Sequence, residues 1–193
     1  LLKGVNTGIL RMRHIIDDML DVSLIGNNLL TLNFQPMWIT HLLSLLKNEL
    51  KKIVAERKQN LIVNEFEGAE LMLYGDSERL YQALHNVAAN AVKYTPDGGT
   101  ITIDGRLLPG FIEITITDTG IGISPKDQAV IFEKFGQLGR TNLHSSGKTK
   151  FKGGGPGLGL PITRGIIEAH GGTIWVDSEG YDEVKLRGST FHI

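Results

Sequence analysis

The stretch Asn86-Val87-Ala88-Ala89-Asn90-Ala91-Val92-Lys93-Tyr94-Thr95-Pro96-Asp97-Gly98-Gly99-Thr100-Ile101-Thr102-Ile103 changes its structural period halfway along. Its first part continues a helix that Asp76 or Ser77 can cap, since either side chain can accept from a free backbone N–H. Thr95-Pro96-Asp97-Gly98-Gly99 ends that helix near Tyr94, because proline and paired glycines break helical geometry. Apolar and polar residues then alternate over residues 100–106 and again over 111–118, with a break at 107–110. Period two marks a strand with one buried face, so this part predicts a hairpin of two long strands. A helix running into a hairpin points to the α+β class: a two-layer α/β sandwich whose mixed sheet carries helices on one face.

Before this stretch, Val5, Ile9, Met12, Ile15, Ile16, Met19, Leu20 and Val22 recur at spacings of three and four. They predict a leading amphipathic helix that Gly26-Asn27-Asn28 ends. Residues 29–35 alternate and predict a strand closed by Pro36. Thr40 is the expected cap of a second helix reaching Arg57, with Leu42, Leu43, Leu45, Leu46, Leu50, Ile53 and Val54 inward. Short strands are expected at 61–65 and 71–74. After the hairpin, Asp118–Gly122 reads as a tight turn and 124–135 as a short helix with Pro125 at its first position. Residues 136–156 are polar and glycine-rich, a length of irregular chain that usually carries function. Residues 158–170 predict a helix stopped by Gly171-Gly172, and 173–178 and 184–193 predict final strands. A boundary near 26–29 divides a leading element, 1–26, from a main domain, 27–193.

Composition narrows the function classes. With 193 residues, 41% of them hydrophobic and 21% charged, the chain can bury a full core of the soluble type. A net charge of −1 gives no reason to expect nucleic acid or a membrane surface as partner. The absence of cysteine excludes disulfides, thiolate catalysis and cysteine-ligated zinc. No apolar run is long enough to span a bilayer. The chain opens on Leu1-Leu2-Lys3 in mid-pattern, as a fragment would.

Three constellations carry chemistry. Asn86, Asn90 and Lys93 fall on one face of the predicted helix. Carboxamide oxygens suit Mg²⁺, which keeps waters and substrate phosphates in its shell, and the lysine supplies a point charge for phosphate. A solvated polar face accounts for the same pattern. Asp118-Thr119-Gly120-Ile121-Gly122 places an acceptor-only carboxylate beside two glycines, a pairing that suits the exocyclic amine of adenine against a close-lying backbone. An ordinary turn is equally served by these residues. Gly153-Gly154-Gly155-Pro156-Gly157-Leu158-Gly159-Leu160 leads into a helix, whose N-terminal N–H groups and dipole favour an anion. It matches neither the dinucleotide fingerprint nor the Gly-Lys-Ser/Thr phosphate loop.

Taken in order, Asn86-x-x-x-Asn90, Asp118-x-Gly120-x-Gly122, Phe132-x-x-Phe135 and Gly155-x-Gly157-x-Gly159 resemble the N, G1, F and G2 boxes of sensor histidine kinase catalytic domains. This is the Bergerat ATP-binding fold, similar to the ATPase domains of DNA gyrase and mismatch-repair proteins. The resemblance runs from about residue 29 to 193. It implies ATP and Mg as ligands, with Asn90 on the metal, Asn86 supporting it, and Lys93 on phosphate. Tyr94 would pack on adenine or ribose, and Asp118 would select adenine, with Gly120 and Gly122 lining the base pocket. Gly155, Gly157, Leu158 and Gly159 would wrap the phosphates at the hinge of an ATP lid spanning about 136–154, and Phe132 and Phe135 would support that lid by packing. Arg140, Lys148, Lys150 and Lys152 give the lid positive charge.

Asn86 stands where the gyrase-like relatives carry a water-activating glutamate, and a carboxamide is a poor general base. That favours phosphoryl transfer to a side chain over hydrolysis. Ile15-Ile16-Asp17-Asp18-Met19-Leu20-Asp21-Val22-Ser23 resembles the second helix of the dimerisation and phosphoacceptor hairpin, whose first helix bears a His-Glu-x-x-Arg motif. No such motif occurs here, and His14 is an ordinary helix histidine. The expected function is therefore ATP:protein-histidine phosphotransfer in two-component signalling, by a chain that does not phosphorylate itself. The implied partner is a response regulator receiver domain, the implied location cytoplasmic. The intact protein would be a homodimer, and this chain either monomeric or paired through its apolar stripe. A gyrase-like conformational ATPase and a non-catalytic nucleotide-binding module are the alternatives.

Overall fold

The computed structural model describes residues 2–133 and 157–193, the side chains of 2–7, 10 and 11 excepted. The elements are α1 Leu2–Gly26, β1 Gln35–Trp38, α2 Ile39–Glu56, β2 Asn60–Val63, β3 Met72–Gly75, α3 Ser77–Tyr94, β4 Thr100–Leu108, β5 Phe111–Asp118, α4 Pro125–Gln128, α5 Gly159–Ala169, β6 Trp175–Asp177 and β7 Ser189–His192. Five strands form one sheet in the order β2-β4-β5-β7-β6, while β1 and β3 form a separate antiparallel ribbon. Among the described strands only β2 and β4 run parallel, so the sheet is mixed, as the sequence predicts.

The β4–β5 register decides which residues face the helices. Ile101 pairs with Asp118 and Ile103 with Ile116, and Ile116 pairs on its other side with Phe191. These residues share one face, and Ile101, Ile103, Ile116 and Phe191 join Leu42, Leu46, Leu50, Val87, Ala88 and Ala91 of α2 and α3 in the main core. Each fully buried isoleucine or leucine there contributes about 1.5–3 kcal/mol. The opposite face carries Thr102, Thr117 and Thr190 in one row, and Thr115, His192 and Trp175 in another. Glu113, buried on that open face, is held below the usual carboxylate range by hydrogen bonds from Arg106 and then His192.

A second, smaller core sits where α5 packs on α3. Ala83, Leu158, Ile162, Ile166 and Ile167 make it, and Val22 of α1 joins them. The end of α1 docks there closely: a Cβ on Gly165 would collide with Ile25, so glycine is what lets the two helices approach. Beside this contact the buried Asp21 accepts from Arg79 at 2.8 Å and from Gln82 at 2.7 Å. Ile9, Met12, Ile16, Met19 and Leu20 of α1 stay exposed.

Several expectations are corrected. The strand expected at 29–35 is instead β1, at Gln35–Trp38. The backbone N–H of Asn33 goes to the Asp76 carboxylate at 2.9 Å rather than to a ladder. Pro36 lies inside β1 opposite Tyr74, tolerable because both strands of a two-stranded ribbon are edges. Thr40 does not cap α2: the helix begins at Ile39, and the Thr40 N–H donates to the Ala69 carbonyl at 3.2 Å. Leu45 is exposed, not inward. The helix expected over 124–135 shrinks to Pro125–Gln128, followed by turns up to residue 133. The last strand is confined to Ser189–His192, because the Asp182 carboxylate accepts from the Val184 and Lys185 N–H groups and holds that stretch in a turn. By contrast, Asp76 caps α3 as predicted, its carboxylate accepting from the Arg79 N–H at 3.1 Å.

Candidate nucleotide site

The site gathers along α3. Its amphipathic pattern buries Ala83, Leu84, Val87, Ala88, Ala91 and Val92, which leaves Asn86, Asn90 and Lys93 half-buried on a shared polar side. Asn86 is the first link to another element. Its Nδ2 donates to the Gly159 carbonyl at 3.2 Å, and Gly159 opens α5. A Cβ on Gly159 would stand 3.4 Å from the Asn86 carboxamide carbon. The first and last of the sequence constellations therefore meet, across 73 residues of chain. Gly157 has φ +73, a conformation that glycine adopts without penalty, and it turns the chain into α5.

Leu158, which the family resemblance places on the phosphates, has a side chain buried in the second core. Only its backbone can face a ligand. Gly155, Phe135 and the lid expected at 136–154, with Arg140, Lys148, Lys150 and Lys152, lie outside the described residues. Phe132 packs edge-on against Phe191, with centroids 6.3 Å apart, so it is an ordinary packing aromatic.

The other end of α3 meets the Asp118–Gly122 turn. Asp118 ends β5 on the core face and is 5% exposed. Burial pushes its carboxyl up to about 7, partly offset by the Gly120 N–H, which donates to Oδ1 at 2.8 Å. A Cβ on Gly120 would collide with the Tyr94 carbonyl and with the Asp118 carboxylate. The Ile121 N–H donates to that same Tyr94 carbonyl at 3.3 Å. The requirement for glycine at 120 is thus already met by protein backbone, where the sequence argument invoked a flat base. Lys93 Nζ lies 4.7 Å from the centroid of the Tyr94 ring, a cation–π contact at the helix end.

Sequence reasoning missed the loop that backs this turn. The Gly188 N–H donates to Gly120 O at 2.8 Å, and the Asp182 N–H to Ile121 O at 2.8 Å. Ser178 Oγ accepts from the Ile123 N–H at 3.0 Å and donates to Gly188 O at 2.6 Å. Gln128 Nε2 donates to Ile123 O at 2.9 Å and Ser178 O at 2.8 Å. Gly188, at φ +69, has a readable signal, a glycine just before an alternating strand. Nothing local marks Ser178 or Gln128. Among the described residues no group of three His, Cys, Asp or Glu side chains is placed to hold a metal.

The arrangement is a buried acceptor at the C-terminus of α3 and, near the middle of the same helix, the Asn86 carboxamide on the first residue of a second helix. Residues 75–193 match the model of the histidine kinase-, DNA gyrase B- and HSP90-like ATPases. The adaptive-response sensory kinase SasA of Synechococcus elongatus is 41% identical over 137 residues, which is 70% of this chain and 32% of SasA. The chain thus spans about a third of that relative's length. The full-length ShkA structure in complex with AMPPNP superposes with a TM-score of 0.76 at 26% identity, covering 93% of this chain and 34% of ShkA. The histidine kinase ThkA in complex with the response regulator TrrA shares the fold, with a TM-score of 0.68 at 19% identity over 97% of this chain and 48% of ThkA. The chain belongs to the histidine kinase-, DNA gyrase B- and HSP90-like ATPase family, as a catalytic domain of the sensor histidine kinase type.

Proposed function

We propose that this chain binds Mg-ATP along α3 and transfers its γ-phosphoryl group to a histidine ring nitrogen supplied from outside this sequence, leaving ADP. The observation that carries the reading is the Asn86–Gly159 contact together with the buried Asp118 at the far end of α3. One rigid helix then spans a base-reading carboxylate and a phosphate-facing helix N-terminus. Asp118 accepts from the adenine amine, and Gly120 and Gly122 hold the turn beside the base. Tyr94 packs on adenine or ribose. Lys93 meets phosphate, and the backbone at Gly155, Gly157, Leu158 and Gly159 closes round it.

The Asn90 carboxamide has no hydrogen-bond partner among the described residues, which leaves its oxygen available to a hard cation. Mg²⁺ would supply charge neutralisation across the phosphates. Asn86, already donating to Gly159, orients this end of the site. It is no base for water, which favours transfer over hydrolysis.

We assign residues 1–26 to the second helix of a phosphoacceptor hairpin and 27–193 to the catalytic domain. The exposed apolar stripe of α1 supports pairing with a second hairpin in a homodimer. His14 is exposed on α1 and lacks a His-Glu-x-x-Arg context, so it is not the acceptor. The ThkA–TrrA complex supports a response regulator receiver domain as the next phosphate acceptor. The likeness to sensor kinases supports a cytoplasmic place for this portion; separately, no helix among the described residues is long and apolar enough to cross a membrane.

Calorimetry tests the reading. The parent binds ATP with Mg²⁺, Asp118→Asn weakens binding, and Asn90→Ala removes the Mg²⁺ dependence. Adding a separate hairpin bearing a His-Glu-x-x-Arg helix yields an acid-labile phosphohistidine on that hairpin. A folded parent that binds no nucleotide overturns the reading.

A further inference from the structure

Arg57 ends α2, far in sequence from any of the motifs above, yet it is among the most buried charges of the described residues. Its guanidinium crosses to the C-terminus of α3. Nη1 donates to Val92 O at 2.6 Å and Nη2 to Thr95 O at 2.9 Å. Nε donates to Asp97 Oδ1 at 2.8 Å, but Asp97 is 70% exposed, so solvent screens that pair. Gln59 reaches the same place: its Nε2 donates to Val92 O at 2.9 Å and to Thr95 O at 2.8 Å. The Gln59 Oε1 finds no partner among the described residues. A buried amide that leaves its own oxygen orphaned is held there for what its N–H₂ group donates.

The last carbonyls of a helix have no partner within it, and they carry the negative end of its dipole. Here two of them each receive an Arg57 and a Gln59 donor. Between those two carbonyls lie Lys93 and Tyr94, and the Tyr94 carbonyl in turn accepts from the Ile121 N–H in the turn that carries Asp118. Asn60, next to Gln59, donates to Gly99 O at 2.8 Å, and the Gly98 N–H donates to Arg57 O at 3.3 Å. The start of β2 and the end of α2 thus grip the whole exit of α3.

We propose that Arg57, with Gln59 beside it, is a positioning residue for the nucleotide, which rests on the nucleotide-binding reading of this site. It fixes the height and rotation of the α3 C-terminus, and through Tyr94 O it fixes the spacing between Lys93–Tyr94 and Asp118. A guanidinium suits this role because its rigid fork serves three acceptors at once, which a lysine ammonium on a flexible stem cannot reproduce.

The test uses the full chain with Arg57→Lys, Gln59→Met and the control Asp97→Asn. Mg-ADP affinity is measured by calorimetry, whose stoichiometry reports the folded fraction, and amide exchange is followed at Ile121. Arg57→Lys is expected to raise Kd about tenfold and to speed Ile121 exchange. Gln59→Met is expected to do the same by about threefold, and Asp97→Asn to change neither. An unchanged Kd for the folded fraction of Arg57→Lys, with only a lower Tm, overturns the proposal. If Arg57→Lys does not fold, Gln59→Met decides in the same way. A folded parent that binds no nucleotide overturns both the site reading and this inference, whereas a binding parent with indifferent variants overturns this inference alone.

Discussion

The C-terminus of α3 and its middle are built differently. At its C-terminus the Asp118–Gly122 turn is buried except at Thr119 and is held by Tyr94 O, by the Gly188 and Asp182 N–H groups, and by the Asp118 carboxylate itself. Nearer the middle of the helix, Asn86 and Asn90 are half-buried, and among the described residues the Asn86 carboxamide makes this pair's one hydrogen bond to the backbone of α5. The turn, proposed to read the base, is pre-formed, with its desolvation already incurred in the raised pKa of Asp118. The middle of the helix leaves polar groups open, as the proposed reading needs if a charged, metal-bearing group is to complete the site. On the proposed reading, a nucleotide meets a pre-formed base pocket at the C-terminus of α3 and open polar groups for its phosphates further back along the helix.

The largest expected effect comes from breaking the pre-formed end. Gly120→Ala drives a methyl group into the Tyr94 carbonyl, which is backbone and cannot swing aside. We expect a loss of about 2–4 kcal/mol in urea denaturation and loss of nucleotide binding by the folded fraction. Unchanged stability would mean that the turn is looser than its hydrogen bonds imply.

A pH titration sharpens the comparison. Unfolded, Asp118 releases its proton near the ordinary aspartate value of 3.8; folded, it does so only near about 7. Between these values the folded state binds more protons, so this group's contribution to stability falls as pH rises through the window and levels off above 7. Other carboxylates titrate too, so the measurable quantity is the difference in pH slope between the parent and Asp118→Asn. Reading adenine through the ionised carboxylate adds a second expectation: affinity for Mg-ADP rises by about tenfold from pH 6 to pH 8 in the parent, and is flat in Asp118→Asn. A flat parent profile would show that the neutral acid reads the base as well.

The smallest effect belongs to the open middle of α3. Asn86→Ala removes one half-buried neutral hydrogen bond to Gly159, so stability should fall by only about 0.5–1.5 kcal/mol in the same denaturation assay. A larger loss would mean that the α3–α5 junction is held as firmly as the Asp118 turn.

Much of this molecule was legible because the cues were local. The cap at Asp76, the end of α3 at Thr95–Gly99 and the alternation of β4 and β5 depend on neighbours within a few residues. Local reading failed where a distant group intervened. Residues 29–34 alternate like a strand, but the Asp76 side chain takes the Asn33 N–H. Thr40 looks like a cap, but the Ala69 carbonyl serves its N–H inside the helix. Leu158 sits in the glycine-rich stretch proposed to meet phosphate, but its side chain fills a core between two helices, which leaves only its backbone for that role.

The sequence by itself determined the order of the four motif boxes, the helix and hairpin they ride on, and the absence of a glutamate at position 86. These are properties of residue identity and short-range periodicity. Only the tertiary structure decided that Asn86 meets Gly159, that Asp118 is buried enough to hold its proton to about 7, and that Arg57 closes the end of α3. Those outcomes depend on desolvation and on hydrogen bonds between residues tens of positions apart, and neither quantity exists until the chain has folded.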